Sequence, residues 1–174
     1  MRFEQTSLSG VHVIEVDRQL DSRGYFVRTF DRDIFRKSGL VHEFPQWSAS
    51  FNQQRGTIRG LHFQRAPHAE TKLVRVTRGA IFDVVVDIRT ASPTRGRWIS
   101  VELSAENGRH VYIPEGFAHG FQTLLDETEI EYAISTPYAP GSGGGYRYDD
   151  PAFAIGWPLP VSAISDKDAT WPDF

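Results

Sequence analysis

Four apolar stretches hold polar side chains that do not belong in a dry core. "GTIRGLHFQ" (56–64) carries Arg59 and His62 among Ile58, Leu61 and Phe63. "TKLVRV" places Lys72 ahead of Leu73, Val74 and Val76. "GFAHGFQ" sets His119 between phenylalanines, and "EYAISTPY" alternates Tyr132 with isoleucine before reaching Tyr138. Burying a polar group costs free energy unless it is satisfied, so each needs a partner in the fold or a ligand in a pocket. Taken singly, each has a plainer reading: a hydrogen-bonded core histidine, a solvated lysine at a strand end, an amphipathic core tyrosine.

Metal chemistry is one thing such residues could do. His62, His110 and His119 invite it, but there is no His-x-His, and no carboxylate follows a histidine pair at ligand spacing. Glu70 lies near His68 in a proline-containing loop. That is not the ligand set of a catalytic metal, and none is expected. The chain has no cysteine, which excludes disulfides, thiolate catalysis and thiolate metal sites. Glycines in "YAPGSGGGYRYDDP" do not form G-x-G-x-x-G between a strand and a helix, so that stretch reads as a loop and not as a dinucleotide fingerprint.

The elements that must hold these residues are mostly short strands. "GVHVIEV" alternates through Val11, Val13 and Glu15, and "RWISVEL" through Trp98, Ser100 and Glu102. "KLVRVTRGAIFDVVVDIR" reads as two strands about a turn at Arg78-Gly79. Asn107-Gly108 is a hairpin signal. "FDRDIFRKSGL" is the one helix expected, capped by Asp31 or Asp33 and stopped at Gly39. Strands at this spacing with almost no helix predict an antiparallel sandwich or barrel. Alternation puts Arg59 and His62 on opposite faces of their strand. If both serve one pocket, Gly60 between them must mark a bulge or turn.

The 174 residues suit one domain, with N-terminal strands, a core over about 45–140 and a C-terminal loop segment 141–174. Hydrophobic residues make up 40% and charged residues 24%, with a net charge of −3, so neither nucleic acid nor an anionic membrane is an expected partner. No apolar leader opens the chain and no run reaches the length of a membrane span, which makes a cytoplasmic protein the expectation.

The ordered stretches "DSRGYFVRTF", "GTIRGLHFQ", "KLVRVTRGAIFDVVVDIR", "SPTRGRW", "YIPEGFAHGFQTL", "EYAISTPYAP", "DDPAFAIGWP" and "ISDKD" resemble the dTDP-4-dehydrorhamnose 3,5-epimerase family over nearly the whole chain. The resemblance implies an all-β fold, a cupin-type jelly roll, in a homodimer that uses no cofactor and no metal. The implied substrate is a nucleotide-linked 4-keto-6-deoxyhexose of deoxysugar, rhamnose-type, biosynthesis. The implied reaction takes a proton from carbon beside the ketone and returns it on the other face. That needs a base, an enolate stabiliser and an acid across the ring. Carried over by motif, His62 resembles the base, Asp168 the carboxylate that orients it, Lys72 the enolate stabiliser and Tyr132 the acid. Arg23, Arg59 and His119 resemble substrate contacts, with diphosphate a target for arginine's planar fork. Phe26, Gln46, Tyr138 and Lys167 complete the implied binding set. Two choices stay open: Asp83 could orient His62 in place of Asp168, and Tyr138 could be the acid in place of Tyr132.

The chain departs from the family's pattern where substrate is held. Arg28 stands where a glutamate is common. "PQWSASFNQQ" offers Gln46 in an offset register, and "GSGGG" replaces a glutamate usual before "DDP". Proton-transfer chemistry is thus better marked than the nucleotide base, or than inversion at C3 alone against C3 and C5.

Overall fold

The β-branched and aromatic runs form strands in the order β1 (Arg2–Gln5), β2 (His12–Glu15), β3 (Gln19–Asp21), β4 (Gly24–Phe26), then helix α1 (Arg32–Lys37), then β5 (Gln46–Asn52), β6 (Ile58–Gln64), β7 (Lys72–Arg78), β8 (Ala80–Asp87), β9 (Trp98–Ser104), β10 (His110–Ile113), β11 (Phe117–Thr123), β12 (Thr128–Ile134), β13 (Gly143–Gly145) and a single-turn helix α2 (Asp166–Ala169). These come from a computed structural model that describes residues 1–174. One sheet has six strands in the order β1-β2-β10-β7-β12-β5, and the other five in the order β13-β6-β11-β8-β9. β3 and β4 form a separate hairpin.

Period-2 alternation sorts the side chains into three apolar layers. Val74, Val76, Val111, Ile113 and Ile130 of the six-stranded sheet meet Ile81, Val85, Leu103, Phe117 and Phe121 of the five-stranded sheet. Their neighbours in sequence point the other way. Leu73, Tyr112 and Ala133 pack under Phe35 of α1, while Leu61, Val84, Val86 and Ala118 pack under Phe153 and Ile155 of the C-terminal segment. Two sheets face to face, each covered on its outer side, form the expected jelly roll.

Helix α1 begins where Asp31, not Asp33, accepts from the Asp33 and Ile34 amides at 3.1 and 3.2 Å. Gly39 follows it with φ +72°. The hairpin expected at Asn107-Gly108 is not formed. The strands on either side belong to different sheets, and the turn carries the chain across the sandwich. Asn107 Oδ1 accepts from Ser104 and Arg109 amides, so the residue pair makes a turn without making a strand pair. The glycine-rich stretch is also not wholly a loop, because Gly143–Gly145 pairs with β6 as an edge strand.

Candidate active site

Between the sheets, where β6 and β12 end and β5 and β7 begin, lies a cavity of about 290 Å³. The six-stranded sheet supplies Gln46, Lys72, Tyr132 and Ile134. The other side supplies His62, Phe63 and Gln64 of β6, with Gly143 and Gly144 of β13. Glu70, Tyr138, Lys167 and Trp171 close the rim.

The bulge that Arg59 and His62 require is present. Phe121 of β11 pairs with Arg59 and His119 pairs with His62, so β6 uses one residue more than β11 between the pairs. Cross-strand partners share a face, and the extra residue turns Arg59 and His62 to the same side. Gly60 makes this possible. Its φ is +121°, and a Cβ there would sit 2.5 Å from Gly120 Cα and 2.7 Å from the His119 carbonyl oxygen. Gly120 is glycine for the same reason, since its own Cβ would lie 2.8 Å from the Arg59 carbonyl oxygen.

The bulge also sets up the imidazole. Asp168 on α2 accepts the Gly60 amide at 3.1 Å on Oδ2, and its Oδ1 takes the His62 Nε2–H at 2.6 Å. Trp171 Nε1 donates to the same Oδ1 at 3.2 Å, and its ring meets His62 edge-on at 6.3 Å. Burial pushes the Asp168 carboxyl up, but hydrogen bonds from His62, Gly60 and Trp171 outweigh it and hold the pKa below the usual carboxylate value. An ionised carboxylate on Nε2 fixes that proton and leaves Nδ1 as the ring's free basic atom. The competing orienter, Asp83, is engaged elsewhere: it pairs with His119 Nε2 at 2.7 Å, both side chains being buried.

Across the cavity stands Tyr132. Its hydroxyl is 3.1 Å from Ser50 Oγ, and its ring meets His119 edge-on at 6.3 Å. Burial raises the phenol pKa well above its ordinary value. Ser50 and Arg59 work against the shift and Asp83 adds to it. The group is a protonated donor at neutral pH. Lys72 is not a solvated strand end; its Nζ lies 3.0 Å from Glu70 Oε1, with both side chains largely buried.

Of the remaining residues, Gln46 and Tyr138 meet, the Tyr138 amide donating to Gln46 Oε1 at 2.8 Å. Lys167 Nζ sits 5.1 Å above the Trp171 ring. Arg59 lies in an adjoining depression with Gln53, Gln54 and Thr57, its Nε donating to Asn52 Oδ1 at 2.7 Å. Arg23 and Phe26 are not in the cavity. Arg23 pairs with Asp21 on the β3–β4 hairpin, and Phe26 is 69% exposed. His110 faces away from the pocket, next to the α1 layer, where burial and Arg75 pull its pKa down to about 4. No three His, Asp or Glu side chains are grouped closely enough to hold a metal ion.

Ser50, Glu70 and Trp171 belong to the site and were not anticipated. Two of them leave a trace in the sequence. Glu70 precedes Lys72 by two, the period that shares a face in extended chain. Trp171 follows Asp168 by three, just past the end of α2 and within reach of its carboxylate. Ser165 three before Asp168 is a further legible signal, because its Oγ accepts the Asp168 amide at 3.1 Å and starts α2.

The fold defines a class, the cupin-type jelly roll. A family model described as dTDP-4-dehydrorhamnose 3,5-epimerase matches residues 5–174. A protein of that name from Methanothermobacter thermautotrophicus is 48% identical, over 98% of this chain and 92% of its own length. The Bacillus anthracis enzyme, solved with TDP and PPi bound, superposes with a TM-score of 0.97 at 38% identity, covering 99% of each chain. A Legionella pneumophila epimerase, solved in complex with dTDP-4-keto-L-rhamnose, gives 0.93 at 39% identity over 99% of this chain and 92% of its own. The chain belongs to the dTDP-4-dehydrorhamnose 3,5-epimerase family.

Proposed function

We propose that the cavity binds a dTDP-linked 4-keto-6-deoxyhexose and inverts it at C3 and C5, with His62 as base and Tyr132 as acid. The observation that carries this is the placement of a carboxylate-supported imidazole and a protonated phenol on opposing sheets around one cavity. His62 Nδ1 takes the proton beside the ketone. The C–H electrons move into the C3–C4 bond and the carbonyl pair onto oxygen. Lys72 stabilises that enolate charge, and the Tyr132 O–H returns a proton to the opposite face. His62 then gives its proton to solvent and Tyr132 takes one back, and the same steps at C5 complete the reaction. Base, acid and charge stabiliser are all side chains, so the chemistry asks for no cofactor. His119, held by Asp83, backs the Tyr132 ring at the sugar end of the cavity. Gln46 and Lys167 contact the nucleotide end, Arg59 the diphosphate, and Tyr138 forms a pocket wall beside the sugar ring.

Arg23 and Phe26 join the binding set only through a second copy of the chain. Leu20 is 79% exposed and Phe26 69%, apolar side chains on the two strands just behind the hairpin tip, without cover in the single chain. We place that tip at the pocket of a homodimer partner. A monomer by light scattering at working enzyme concentration would remove this part of the reading. No helix is long and apolar enough to cross a membrane, and a cytoplasmic enzyme acting on a soluble nucleotide sugar is part of the same proposal.

Incubation with dTDP-4-keto-6-deoxyglucose in deuterated water, followed by NMR, is expected to label C3 and C5. Label at C3 alone makes the chain a 3-epimerase. No exchange with this substrate or its GDP and CDP analogues overturns the catalytic reading.

A further inference from the structure

Lys72 has one partner in the structure, Glu70, and the pair is 12% and 11% exposed at the side chains. Removing one member of a buried pair leaves the other charge without compensation. Glu70 is itself held. Gln64 Nε2 donates to Glu70 Oε2 at 2.9 Å and to the His68 carbonyl at 3.1 Å. Gln64 Oε1 accepts the Ala139 amide at 2.9 Å. Both amide hydrogens of Gln64 are therefore used, and its oxygen is occupied, so it cannot flip without losing bonds. The network fixes the Glu70 carboxylate from behind and leaves its other oxygen for the ammonium.

We propose that Glu70 is a positioning residue for the epimerisation: its carboxylate, braced by Gln64, holds the Lys72 ammonium at the place where the enolate oxygen forms. The inference rests on the reading of Lys72 given above. A flexible lysine stem would otherwise sample many rotamers, and the charge would be less often in place when the carbanion needs it. The same brace reaches Ala139, next to Tyr138, so one side chain ties the enolate stabiliser to the segment carrying the pocket rim.

The test is a double-mutant cycle on the full chain, with dTDP-4-keto-6-deoxyglucose as substrate and C3 deuterium wash-in as readout. Glu70→Ala is expected to lower kcat by about tenfold or more, with KM changed by less than about threefold. Glu70→Gln, which keeps an oxygen but no charge, should fall between Glu70→Ala and the unaltered enzyme. In a Lys72→Ala background, measured at high enzyme concentration, Glu70→Ala should cost less than about twofold, because its effect passes through the lysine. If Glu70→Ala does not fold, Glu70→Gln runs the same cycle. A kcat for the Glu70 variants within twofold of the unaltered enzyme overturns the proposal. So does a loss that persists in full without Lys72. If Lys72→Ala alone keeps its wash-in rate, the reading of Lys72 has failed instead, and the two failures are distinct.

Discussion

His62→Ala is expected to abolish wash-in at both carbons, lowering kcat on the order of 10³-fold or more, within the range for losing a general base. Several features of the site set the size of the effect. Asp168 is the one side chain on Nε2, and its carboxylate is ionised because hydrogen bonds from His62, Gly60 and Trp171 outweigh burial. The imidazolium that forms on proton abstraction therefore meets a fixed negative charge at 2.6 Å. The other histidine near the pocket, His119, is 4% exposed at the side chain against 42% for His62 and does not line the cavity, so its ring is not open to the substrate carbon. Folding should survive, since the His62 side chain is 42% exposed and its loss leaves no large void. Asp168 would lose one donor and keep two, a cost of about 1–2 kcal/mol in stability. Asp168→Asn should slow wash-in less than His62→Ala does, because the amide can still accept from Nε2–H but carries no charge to balance the imidazolium. Measured wash-in by His62→Ala within tenfold of the unaltered enzyme would remove His62 from the mechanism.

Local spacing made some of this site legible and hid the rest. The bulge at Gly60 could be read because it resolves a contradiction inside one strand: two polar residues of opposite parity wanted one pocket. The partner of His62 could not be read that way. Asp168 lies 106 residues away on a four-residue helix, while Asp83 sits in the same sheet, on β8 beyond the intervening β11. Parity places Asp83 on the inner face and no further. Only the β8–β11 register, which sets Asp83 opposite Phe121 and brings it to His119, removes it from His62. Asn107-Gly108 misled for a related reason: turn chemistry specifies how the chain reverses, not which strands pair afterwards. β13 was invisible because three glycines carry no side-chain pattern. Two of them are small because of what lies over them; a Cβ on Gly144 would meet the Phe63 ring at 2.7 Å, and one on Gly145 the Trp171 ring at 2.4 Å. Arg23 and Phe26 mark the limit of a single chain, since motif resemblance assigns them to a pocket that their own fold keeps them out of.

Tyr132→Phe is expected to separate two processes that the unaltered enzyme performs together. The phenyl ring keeps the edge-on contact with His119 and the packing against the inner apolar layer, and only the hydroxyl and its contact with Ser50 are lost. His62 can still remove the C3 proton, exchange it with solvent and return deuterium to the face it came from. Wash-in with retention should therefore stay within about tenfold of the unaltered rate, while net inversion falls by about 10²- to 10³-fold, the range for losing a general acid. The pH dependence follows from the raised phenol pKa. A tyrosine held above its ordinary value stays protonated through and beyond the pH at which a free phenol would ionise, so inversion should show no loss from Tyr132 up to pH about 10. Tyr138→Phe is the control. It closes the cavity rim, the residue is 63% exposed, and phenylalanine keeps both the ring and the backbone amide bound to Gln46. Inversion by that variant should remain within about threefold of the unaltered enzyme, since a surface hydroxyl outside the proton path contributes little. Loss of wash-in and inversion in equal measure in Tyr132→Phe would show that the phenol holds the sugar and does not protonate it. Loss of inversion in Tyr138→Phe with Tyr132→Phe unaffected would move the acid across the rim to Tyr138.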